Sequence, residues 1–115
     1  MIAIIDYGAG NLFSLASSLK HIGMETVITD DAEKIKAADR MILPGDGAFG
    51  DAADELRKRG LDKVICEEAL AGKPLMGICL GMQLLFEKSL EYGEHEGLGL
   101  IHGTVSPLEG YSGRI

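Results

Sequence analysis

The chain has 115 residues, 46% of them hydrophobic and 25% charged, a mixture that fits one ordinary globular domain. Eleven basic residues are scattered among eighteen acidic ones, and the net charge of -7 offers no patch for a phosphate backbone, so nucleic acid is not the expected partner. Two cysteines, Cys66 and Cys79, make no disulfide framework and show no metal-type spacing. No stretch of eighteen apolar residues predicts a membrane span, and the opening MIAIIDYGAG has neither the basic leader nor the apolar core of a signal peptide, so the expected location is cytoplasmic.

Short apolar runs alternate with helical patterns along the chain. Ile2 to Ile5 is a compact strand-type run, closed by Asp6-Tyr7-Gly8-Ala9-Gly10. Leu12, Leu15, Ala16 and Leu19 then fall at i, i+3, i+4 and i+7, the stripe of an amphipathic helix, and Gly23 sits where it would stop. Thr26 to Thr29 and Met41 to Leu43 predict a second and a third strand, the latter ended by Pro44-Gly45-Asp46-Gly47. Phe49, Ala52, Ala53 and Leu56 mark the next helix, closed by Gly60, and Leu61, Val64, Ile65 and Ala69 another. Leu75 to Ile78 predicts a fourth strand, a helix is expected from Leu80 to Ser89, and Leu98 to Val105 reads as a further strand weakened by Gly99 and Gly103.

This alternation implies an α/β fold: a mostly parallel sheet flanked by helices, with ligands bound at the carboxyl ends of its strands. The glycine-rich loops after Ile5, Leu43 and Ile78 all take that position.

The third of these loops carries the chemistry. Gly77-Ile78-Cys79-Leu80-Gly81 has the spacing of a nucleophile elbow, with cysteine in place of serine. Such a turn is so sharp that side chains at the flanking positions would collide, and glycine at both relieves the collision. The following helix start favours thiolate, and the Leu80 N–H would point toward a developing oxyanion. Without those glycines Cys79 would read as a small buried hydrophobe; Cys66, inside a helical pattern with no glycine elbow, reads as an ordinary core or surface residue. A thiol needs a base, and His21, His95 and His102 each have an ordinary explanation: a helix end, a solvated charged loop and a sheet position. No triad can be completed from these residues.

The Pro44 to Gly47 loop offers a second oxyanion donor, or a plain turn with Asp46 as helix N-cap. The Gly8-x-Gly10 pair lacks the third glycine of a dinucleotide fingerprint, because that position is Phe13. His95-Glu96 lacks the second histidine of a zinc-protease motif, so the sequence implies no cofactor and no metal.

Gly-Ile-Cys-Leu-Gly-Met-Gln (77 to 83) resembles the nucleophile motif of class I, triad-type glutamine amidotransferases. Ile-Ile-Asp-Tyr-Gly-Ala-Gly-Asn-Leu (4 to 12), Leu-Pro-Gly-Asp-Gly-Ala-Phe-Gly-Asp-Ala (43 to 52) and Gly-Leu-Gly-Leu-Ile (97 to 101) narrow the likeness to the glutaminase subunits of imidazole glycerol phosphate synthases, over the whole chain. The resemblance implies a flavodoxin-like fold and hydrolysis of glutamine to glutamate and ammonia. Cys79 would be the nucleophile, Gly47 and Leu80 would supply the oxyanion hole, and Gln83 and Glu91 would hold the substrate. It also implies that ammonia passes to a (β/α)8 cyclase subunit, and that this partner controls the glutaminase through the Pro44 to Gly47 loop. Asp46 stands where the family commonly carries a small apolar residue; a carboxylate there is expected to face away from the oxyanion.

Family members run on past the Tyr111 to Ile115 region into segments that complete the triad with a histidine and a glutamate. The chain is therefore expected to be an incomplete single domain over 1–115, the amino-terminal portion of the fold. Alone it is expected to be marginally stable or self-associating and to lack glutaminase activity. Two other readings stay open, a different cysteine-elbow protein of the same fold, such as a DJ-1-like one, and a non-catalytic module that docks on a cyclase.

Overall fold

A computed structural model describes residues 1–108; the Tyr111 to Ile115 stretch, where the resemblance breaks off, lies outside the described residues. Strand β1 (Ile2–Ile5) is followed by α1 (Leu12–His21), β2 (Thr26–Thr29), α2 (Ala32–Ala37), β3 (Arg40–Leu43), α3 (Phe49–Lys58), α4 (Leu61–Leu70) and β4 (Leu75–Gly77). The chain continues through α5 (Leu80–Leu84), β5 (Phe86–Ser89), β6 (His95–Glu96) and β7 (Ile101–Val105). The first four strands form one sheet in the order β2-β1-β3-β4, and every pair in it is parallel. The expected α/β architecture is therefore present. A second, three-stranded sheet has the order β6-β5-β7.

Alternate residues of each strand face opposite sides of the sheet. One side carries Ala3, Ile5, Met41 and Leu43, packed beneath Ile35 of α2, Phe49, Ala53 and Leu56 of α3, and Leu61 and Ile65 of α4, all buried. The other carries the row Ile28, Ile4, Ile42 and Met76, set side by side by the strand register. Among the described residues α1 leans over this side, and none of its residues is fully buried. An open groove of about 470 Å³ remains there, lined by Ile2, Leu19, Ile22, Ile42, Leu75 and Met76.

The helix ends follow local chemistry. Asn11 accepts the Ser14 N–H at 3.1 Å and starts α1. At its other end Gly23, at φ +85°, lets the Gly23 and Met24 N–H groups close on Lys20 and Leu19. Asp31 caps α2 by accepting the Glu33 N–H at 2.9 Å.

Three sequence expectations are corrected here. The helix expected from Leu80 to Ser89 ends at Leu84, and Phe86–Ser89 is a strand. Its partners are distant: β7 runs parallel to it and β6 antiparallel. Asp46 is not the N-cap of α3; Ala48 holds that position without a side-chain bond. His95 is half-buried in β6 rather than solvated, its ring set against Gly50, where an added Cβ would come within 2.7 Å of it.

Candidate active site

Cys79 sits at the junction of β4 and α5 with φ 55° and ψ -122°, a left-handed backbone that residues bearing a Cβ rarely adopt. Holding it costs about 1–3 kcal/mol, so the surroundings must enforce it. They do so by close backbone approach. The Ile78 N–H donates to the Leu43 carbonyl at 3.0 Å, and the Cys79 carbonyl accepts the Met82 N–H at 3.0 Å and the Gln83 N–H at 3.4 Å. A Cβ on Gly77 would lie 2.6 Å from Met82 Cα, and one on Gly81 would overlap the Leu43 carbonyl. Both glycines are therefore required, as the elbow spacing predicts. The thiol that results is exposed at the carboxyl end of the sheet.

The elbow packs against the loop after β3. A Cβ on Gly45 would meet the Tyr7 hydroxyl at 2.6 Å, the Gly81 nitrogen at 2.8 Å and Leu80 Cβ at 3.0 Å. Two residues on, Gly47 is exposed at φ +81° with open space around it. Among the described residues no backbone carbonyl accepts the N–H of Gly47 or of Leu80. Both amides are thus uncommitted donors on adjoining loops, while the Leu80 side chain is buried.

Gln83 lies one turn beyond Cys79 on α5, half-buried, which is where an i, i+4 relation puts it. Glu91 is half-buried in the loop after β5, its N–H donating to Ser89 Oγ at 3.1 Å. The histidines are dispersed. His21 is exposed at the end of α1, His95 Nε2 lies 3.0 Å from the Tyr92 carbonyl, and His102 is exposed on β7, 3.7 Å from Glu87. Cys66 is half-buried, 3.6 Å from the Leu98 carbonyl, and burial followed by the Asp62 charge pushes its thiol pKa up. Of the two cysteines, Cys79 is exposed and Cys66 half-buried.

Sequence reasoning missed Tyr7. Its hydroxyl donates to the Pro44 carbonyl at 2.6 Å, and burial, then the nearby Asp46 carboxylate, hold the phenol well above its usual pKa. No local spacing connects residues 7 and 44; the adjacency of β1 and β3 does. Asp46, meanwhile, turns Oδ1 to the Gly10 N–H at 3.1 Å.

A family model described as glutamine amidotransferase class-I matches residues 3–113. The chain belongs to that family. Among curated relatives, this amidotransferase chain is 59% identical over 105 residues to an imidazole glycerol phosphate synthase subunit HisH of Sulfurimonas denitrificans, covering 91% of the chain and 51% of the relative. It is 54% identical over 110 residues to the same-named subunit of Oceanobacillus iheyensis, covering 96% and 55%. The chain thus spans about half the length of the curated relatives it matches. A crystal structure of a glutamine amidotransferase superposes with a TM-score of 0.79 at 21% identity, over 97% of this chain and 60% of that one, a likeness of fold. Among the described residues no helix is long and apolar enough to cross a membrane.

Proposed function

We propose that this chain is the nucleophile-bearing part of a glutaminase that feeds ammonia to a (β/α)8 cyclase in imidazole glycerol phosphate synthesis. The carrying observation is the exposed Cys79 thiol, held at φ 55° between two glycines that tolerate no side chain. The family model's description, glutamine amidotransferase class-I, supports the substrate, and the relatives' printed name, a subunit of imidazole glycerol phosphate synthase, supports a partner subunit.

In this reading the Cys79 sulfur attacks the side-chain amide carbon of glutamine. The oxygen becomes an oxyanion that takes the N–H groups of Leu80 and Gly47, both free of backbone acceptors. The C–N bond then breaks, the nitrogen leaves as ammonia after gaining a proton, and a γ-glutamyl thioester remains on the sulfur. Water adds to the thioester carbon and expels the thiol, releasing glutamate. Gln83 and Glu91 hold the substrate's amino acid end. Among the described residues His95 contacts the Tyr92 carbonyl and His102 faces Glu87, so neither is engaged with the Cys79 thiol. The cyclase, seated at the same end of the sheet, receives the ammonia and acts back on the glutaminase through the Pro44 to Gly47 loop.

The test is covalent labelling with a diazo-ketone analogue of glutamine, read by peptide mass spectrometry. Iodoacetamide serves as reference, because exposure alone already favours Cys79 over the half-buried Cys66. The analogue should prefer Cys79 by a much wider margin than iodoacetamide does. Equal preference for the two reagents would leave an accessible thiol without a glutamine pocket. Retained cyclase binding in that case would favour the docking module.

A further inference from the structure

The Pro44 to Gly47 loop is held unevenly. Its first half is caged: the Pro44 carbonyl takes the Tyr7 hydroxyl, and Gly45 is pressed between Tyr7 and the elbow. A Cβ on Gly10, at φ +95°, would lie 3.0 Å from the Pro44 ring. Past this cage Gly47 is exposed, and nothing lies within 4 Å of where its Cβ would be. Its amide direction is therefore set by its neighbours in the chain. On one side Phe49 is buried and anchors α3. On the other stands Asp46, an exposed residue whose side-chain hydrogen bond, among the described residues, is the one from the Gly10 N–H to Oδ1.

We propose that Asp46 is a positioning residue: by accepting the Gly10 N–H, its carboxylate ties the loop that carries Gly47 to the loop after β1, so that the first loop sets the direction of the Gly47 amide. The same bond directs the negative charge toward the Gly8 to Gly10 backbone, where an N–H group meets it. The two loops thus move as one body. A ligand or partner that draws Gly10 away releases Gly47 without touching it. This deepens the glutaminase reading, on which the use of the Gly47 amide rests, but the latch itself is a property of the chain.

The test uses nitrogen-15 labelled chain and two variants. Asp46→Ala removes the acceptor, whereas Asp46→Asn keeps an oxygen at Oδ1. In Asp46→Ala, hydrogen exchange at the Gly10 amide should rise about 3- to 10-fold, the range expected for one lost hydrogen bond. The Gly47 amide order parameter should fall in parallel from a rigid value of about 0.85 to below about 0.6. Asp46→Asn should restore both. Amides of α3 and β1 should keep their protection throughout.

Three results overturn the proposal: no change at either glycine, a change at Gly10 without one at Gly47, or loss of protection across α3 and β1 as well. If Asp46→Ala does not fold, Asp46→Glu, one methylene longer, displaces the carboxylate and reads the same two amides. Neither readout depends on glutamine. A Cys79 blind to the glutamine analogue in a chain with the latch intact would sink the glutaminase reading alone.

Discussion

The two sides of the four-stranded sheet come from the same strands and are closed very differently. Toward α2, α3 and α4, Ile5, Leu43, Ile35, Phe49, Leu56 and Ile65 are each at most 1% exposed. Toward α1, Ile28 and Met76 at the two rims are 37% and 60% exposed, and Ile22 of the helix itself 70%. Strands that are apolar on both faces need cover on both faces. One ten-residue helix supplies too little of it: Ile4 and Ile42 in the middle of that row are buried, at 0% and 5% exposure, while the rims stay open. Cys79, Leu80 and Gly47 lie along neither face but at the carboxyl ends, where β3 and β4 deliver their loops.

The largest effect should come from truncating the closed side. Leu56→Ala removes a fully buried side chain from α3 and should cost about 2–5 kcal/mol, enough to unfold much of a small domain. Leu19→Ala makes the same chemical change on the half-buried stripe of α1 and should cost about 1 kcal/mol. Paired urea titrations read both, and equal losses would erase the contrast between the sides. Met76→Lys, on the open side, should change stability by less than about 0.5 kcal/mol. It should nevertheless reduce concentration-dependent association in sedimentation velocity, because β4 ends the sheet and Met76 is exposed beside the apolar groove. Association unaltered by that lysine would mean the open side is not adhesive.

How much of this was legible depended on how local each cause is. Ile2–Ile5 declares itself as a strand by continuous apolarity, and Gly77, Cys79 and Gly81 declare the elbow because the glycines its sharp turn demands fall within five residues, although the Leu43 carbonyl that holds it lies far away in the chain. Helix α2 went unread because Ala-Glu-Lys-Ile-Lys-Ala offers one apolar anchor, Ile35, and no stripe; the Asp31 cap was its only local sign. Strand β5 was hidden in another way. Leu84 and Leu85 continue the helical pattern into Phe86-Glu87-Lys88-Ser89, but pairing with residues 95–96 and 101–105 outweighs it. Asp46 shows the same competition in one side chain: a local rule assigns it to α3, and the sheet order hands it to Gly10, 36 residues earlier.

The smallest expected effect concerns a brace on the closed side. Arg59, just past α3, donates from Nε to Glu55 Oε1 at 2.8 Å and sends Nη1 to the Asp6 carbonyl at 3.5 Å and to Asp30 Oδ2 at 3.4 Å. It therefore fastens the end of α3 to the carboxyl ends of β1 and β2. The hydrogen bond from Arg59 holds the Glu55 carboxyl below its ordinary value of 4.5; desolvation opposes this, and the charges of Arg59 and Lys58 add to it. A depressed carboxyl contributes stability above the unfolded value and loses it as pH falls through the folded one. Glu55→Gln should thus be slightly less stable than the parent at about pH 7, with the difference closing as pH drops below 4.5. The pair is exposed to solvent, so the gap should also shrink with added salt. Urea midpoints of parent and variant across that range provide the check. A gap that persisted into acid would place the Glu55 contribution in its packing on α3 rather than in its charge.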